Sequence, residues 1–212
     1  MNTFKQVLWV LSIQFSVFFL LFMLFSAARQ IYQNKTVANE THIHWTLYID
    51  KTFGEEYITQ IKEATGRWSK ATNHLAEFDV EIISKENRNQ IRHNADALVV
   101  TSLTEDSPDI ISVDEENNET TIAFCNIRGP IATLAYVESR ISDEDFEKVT
   151  MHELGHALKL KHVVGPDGIG QIMYPHTDLM GNVITQEDLQ QFCKIYHCDA
   201  TKLQHEEETF HP

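Results

Sequence analysis

The sequence predicts an α/β (α+β) domain of five strands and three helices between residues 42 and 203. Three observations predict it. Short β-rich segments recur at His44–Asp50, Phe78–Ile83, Ala95–Thr101, Thr121–Ile127 and Ile131–Glu138, with turn or polar residues between them. Glu55 to about Ala71 sets Tyr57, Ile58, Ile61, Ala64, Trp68 and Ala71 at helical spacing. Late in the chain, a histidine-bearing helix pattern is followed by an apolar turn and a last capped helix.

The elements follow in order. Residues 1–28 read as a targeting segment: Lys5 precedes an apolar run from Val7 to Phe25, broken only by Ser12, Gln14 and Ser16. A signal peptide would be cleaved near Ser26-Ala27-Ala28. The run approaches the roughly 20 residues that span a bilayer, which favours an uncleaved signal anchor. The expectation is therefore a single-pass cell-membrane protein with its domain outside the cell, and secretion after cleavage is the alternative. Residues 29–41 read as a linker, 42–203 as the folded domain and 204–212 as a disordered polar tail.

The chain carries a net charge of -14. From Thr41 onward there are 14 basic and 30 acidic residues, a net of -16. Such a domain is a poor binder of nucleic acid, whose phosphates demand clustered cations.

The first strand, His44–Asp50, alternates and is rich in β-formers. Glu55 and Glu56 lead the first helix, where acids suit the helix dipole. Thr104 to Thr120 is strongly acidic. It reads as a solvated loop; the other reading, a Ca²⁺ loop, lacks EF-hand spacing and is disfavoured. Arg128-Gly129-Pro130 is the turn between the fourth and fifth strands. Ser142 then caps a helix, with Asp143, Glu144 and Asp145 in its first turn, which continues through the histidine motif.

That motif is His152-Glu153-Leu154-Gly155-His156, followed by His162. A spacing of four places the first two imidazoles on one helix face, where they can hold one Zn²⁺. Glu153 stands beside them as the general base for a water. A catalytic zinc usually takes a third protein ligand. A continuing helix would carry His162 about 9 Å beyond His156 and round the axis, so the helix must end and the chain fold back.

With His162 in place, the motif resembles the metzincin metallopeptidases, H-E-x-x-H-x-x-G-x-x-H with a Met-turn. Lys159 stands at the family's glycine position. A lysine there meets a cost of roughly 1–2 kcal/mol for the left-handed conformation. Ile172-Met173-Tyr174-Pro175 resembles the Met-turn of the matrixin branch, with Met173 as a structural floor under the metal. Ile184 to Gln191 resembles the start of the matrixin C-terminal helix, with Thr185 as N-cap and Asp188 at N3. The resemblance spans roughly residues 42–199. It implies a mixed, twisted five-stranded sheet, one catalytic zinc held by His152, His156 and His162, and a protein or peptide substrate. The family's second, structural zinc has no matching histidines. Its Pro-x-Tyr wall becomes Pro175, His176 and Thr177.

Two rivals remain. A gluzincin-type site using Glu187 would leave His162 unexplained. A surface interaction module that binds zinc with lost or weak proteolysis would have no need of Glu153. The three cysteines, Cys125, Cys193 and Cys198, permit several pairings, and the spacing alone selects none.

Overall fold

The computed structural model describes residues 42–84, 87, 91, 96–117, 120–128 and 131–204, the side chains of 113–117 aside. The expected anchor, the linker and the tail after Gln204 lie outside them. Among the described residues no helix is long and apolar enough to cross a membrane.

Five strands form one sheet: β1 (Ile43–Asp50), β2 (Ala76–Ile83), β3 (Ala97–Ser102), β4 (Ala123–Asn126) and β5 (Ala132–Tyr136), in the order β2-β1-β3-β5-β4. β4 pairs antiparallel with β5 at one edge, and the other pairings are parallel. Parallel neighbours need a crossover, and α1 (Glu55–Ala71) supplies it between β1 and β2. Register turns the period-2 pattern into a buried face. Leu47 lies opposite Leu98, Ile49 opposite Val100, and Val100 opposite Leu134. All five side chains are fully buried.

Against this core α1 buries Ile61, Ala64, Trp68 and Ala71, the positions that its helical spacing marked. A buried indole needs a partner for its N–H. Trp68 Nε1 donates to the Met151 carbonyl at 2.8 Å, which ties α1 to the site helix, Phe146–Ala157. Tyr136 of β5 does the same from the sheet: its hydroxyl lies 3.0 Å from Thr150 Oγ1 and its ring 4.7 Å from that of Phe146.

Two expectations need correction. The acidic stretch is not simply a solvated loop: Pro108–Asn117 forms a helix, α2. Pro108 suits the first helical position, Asp109 suits the first turn, and fully buried Ile110 fastens the helix to the domain. With so few apolar positions among the acids, the helical period was hidden. The site helix, α3, also starts later than expected, at Phe146. Ser142 Oγ accepts from the Asp145 amide at 3.2 Å, but it caps a preceding turn. Strand ends differ from the expected ones by one or two residues. α4 (Gln186–Tyr196) starts as expected, with a Thr185–Asp188 capping box. Its far end is closed by a disulfide between Cys193 and Cys198, while Cys125 is free.

Candidate active site

α3 carries His152, Glu153 and His156 on its last turns. It ends at Ala157 with Leu158 as C-cap, and Lys159 takes the left-handed conformation with φ 65°. The Leu160 amide donates to the Gly155 carbonyl at 2.9 Å, and the Lys159 amide to the His156 carbonyl at 2.8 Å. This is the Schellman pattern that a glycine usually closes. A lysine therefore fills the glycine's conformational role. Lys159→Gly is expected to leave stability unchanged or raise it by about 1 kcal/mol, because relief of strain outweighs the added freedom of the unfolded chain. The thermal midpoint with saturating zinc checks this, and a clear drop would contradict the strain argument.

Reversed by that turn, the chain is fixed by α4. Gln191 accepts from the Lys161 amide and donates to the Lys161 carbonyl. His162 then arrives with its Nε2 3.1 Å from that of His152 and 3.0 Å from that of His156. Among the described residues these three histidines form the only group of metal-ligating side chains placed to share an ion. Glu187 is not part of it.

The donor set fits zinc. Bonds of about 2.0–2.1 Å in tetrahedral geometry hold ligand nitrogens roughly 3.3 Å apart. Each helix-borne imidazole has its other nitrogen engaged by a carbonyl: His152 Nδ1 at 2.8 Å from Ile172 O, and His156 Nδ1 at 3.0 Å from Leu160 O. A carbonyl only accepts, so Nδ1 holds the proton and Nε2 keeps its lone pair for a metal. Burial, followed by the neighbouring His156, pushes the His152 pKa down to about 3. Burial lowers that of His156 as well. Both imidazoles are neutral near pH 7, the form that ligates.

Glu153 is 5% exposed, and burial raises its carboxyl pKa to about 8. The Cys125 amide on β4 donates to it, which opposes that shift. Its Oε2 is buried without a hydrogen-bond partner. An orphaned carboxylate oxygen is costly in a core, and it is what a proton acceptor facing a reacting water requires.

The floor of the site explains Gly155. Met173 is fully buried, and a Cβ on Gly155 would stand 2.3 Å from its Sδ. The glycine between the two ligands is therefore a packing requirement. Gly155→Ala should destabilise the domain by roughly 1–3 kcal/mol as the helix and the Met173 turn are forced apart. Urea unfolding measures this, and a midpoint equal to wild type would refute the contact. The turn is held from α4. Asp188 Oδ2 accepts from the Thr185 amide at 2.9 Å, the Thr185 hydroxyl at 2.8 Å and the Ile172 amide at 3.3 Å. The capping box was readable in the sequence. Its third bond, from Ile172 to the buried carboxyl, was not, and neither were the contributions of Gln191 and Gly155. An isolated glycine inside a helix pattern was the available signal for the last of these.

The site opens into a cleft of about 1380 Å³ between the β4 edge, α3 and the segment from Lys159 to Met180. Pro175, His176 and Thr177 line one side of it. Lys148 braces that wall, its Nζ donating to the Thr177 carbonyl at 3.0 Å and pairing with Asp145 at 2.7 Å.

No curated protein matches the chain. Among solved structures it is similar to high choriolytic enzyme 1, a hatching-enzyme zinc protease from Oryzias latipes (medaka). That match has 12% identity and a TM-score of 0.46, and covers 74% of this chain and 90% of that one. The matrixin family model matches residues 37–197, a span that contains every element from β1 through α4 and all three histidines, and the chain belongs to the matrixin family.

Proposed function

We propose that the chain is a zinc-dependent endopeptidase acting on extracellular or cell-surface proteins. The observation that carries this reading is the convergence of three histidine Nε2 atoms beside a buried glutamate with an unpartnered oxygen. His152, His156 and His162 would hold the metal. When bound, Zn²⁺ supplies a Lewis acid that polarises the scissile carbonyl and lowers the pKa of a water. Glu153 takes the proton of the attacking water and delivers it to the leaving amine. The Cys125 amide orients the carboxyl for this. β4 is an edge strand lining the cleft, so its outward backbone groups suit an extended peptide added as a further strand. Met173 stays structural. The Cys193–Cys198 disulfide and the apolar run Val7–Phe25 support export of the domain, with the run as an anchor or a cleaved signal.

The test is cleavage of a peptide library by the purified full chain, stopped by a chelator and restored by Zn²⁺. A chain that binds zinc and cleaves nothing would replace this reading with the interaction module.

A further inference from the structure

The charges of the cleft do not follow those of the domain. From Thr41 onward acids outnumber bases 30 to 14, yet four bases and three acids line the cleft. One of these acids is the buried Glu153, and another, Asp145, is paired with Lys148. Of the bases, Arg140 lies 3.9 Å from Glu105 and donates to the Thr121 carbonyl. Arg128, Lys159 and Lys161 are exposed, and none pairs with an acid among the described residues.

These three share one end of the cleft. The chain from Thr121 through β4 passes along α3. Thr121 is bonded to Arg140, ahead of the helix, and Cys125 meets Glu153 in its second half. Continuing that path carries Arg128 beyond Glu153, toward the C-terminal end of α3. Lys159 stands in the turn at that same end, and Lys161 follows it. The remaining acids lie at the opposite end. Asp145 precedes α3, and Asp178 follows Thr177, which Lys148 holds against the helix start. The negative end of the helix dipole partly accounts for Lys159, but Arg128 belongs to another element and escapes that explanation.

We infer that Arg128, Lys159 and Lys161 form a subsite for acidic residues on one flank of a bound peptide, which makes the substrate class a protein segment with Asp or Glu to one side of the scissile bond. This rests on the peptidase reading of the site. Exposed charge pairs are individually weak, so three of them give a selectivity of roughly three- to tenfold, screened by salt. A local basic field on an acidic domain also steers such a segment into the cleft in one direction.

The experiment uses the zinc-loaded full chain with Glu153→Gln, so that binding is read without turnover. Fluorescent peptides of one sequence carry Asp-Glu on the N-terminal flank, on the C-terminal flank or on neither, and anisotropy gives Kd at low and high salt. One flank should bind three- to tenfold tighter than the neutral peptide, and the gap should close in 0.5 M salt. It should also close in Arg128→Gln/Lys161→Gln, which spares the strained Lys159 turn. Equal affinities for all three peptides, or a preference that survives the double substitution, overturns the subsite. Failure of the active chain to cleave any of the peptides counts against the peptidase reading instead, since the binding comparison stands without it.

Discussion

Glu153→Gln will lower kcat by on the order of 10²–10⁴-fold while zinc content stays near about one per chain. The side chain is not in the histidine group, so its removal leaves the three Nε2 atoms where they are. The substitution nearly conserves shape. It keeps an oxygen for the Cys125 amide and removes only the group that can take a proton. In the metal-free domain burial holds this carboxyl near pKa 8, so it is mostly protonated at neutral pH and its amide replacement loses no buried charge. Folding should therefore be intact, and the defect should lie in kcat rather than KM. Steady-state kinetics with metal analysis on the same preparation checks both halves. Activity close to wild type would reject Glu153 as the proton carrier.

His162→Ala will weaken zinc binding by roughly two to three orders of magnitude, and Glu187→Ala will leave it unchanged. Zinc sites contribute on the order of 10 kcal/mol, shared among few ligands, so losing one of three is severe. His162 is the ligand most sensitive to the fold. It stands outside α3, and the Lys159 turn, the Gln191 bonds to Lys161 and the bond from the Val163 amide to the Met173 carbonyl help carry it to the other two. Glu187 sits in the first turn of α4 and lies outside the histidine group. Competition with a chromophoric chelator measures both variants. If the Glu187 variant lost zinc and the His162 variant kept it, ligation would be of the gluzincin kind.

The sequence by itself determined the order of the strands and of every helix but α2, and the spacing that lets three histidines meet. Periodicity reports which face of a segment is buried, which is why β1 and α1 lay close to where the pattern put them, while the Thr185–Asp188 cap marked the start of α4. The spacing from His152 to His156 is a local helical fact, so it needed no tertiary information. The position of His162 required a reversal after His156, and the reversal is there, with Lys159 at its centre. Tertiary structure decided what depends on contacts distant in sequence. The helix α2 was hidden because its acidic composition masked the period, and buried Ile110 fastens it only once the chain has folded. The disulfide was undecided because pairing depends on which sulfurs the folded chain brings together, and the Cα atoms of Cys193 and Cys198 lie 4.5 Å apart. Gly155 had no role assigned from the sequence, and only the fold packs Met173 against it. Asp188 read as a cap, and only folding brought the Ile172 amide to its carboxyl. Local pattern fixes an element and its polar face; which groups meet across that face is set when the elements pack, because each such contact is the joint property of two segments.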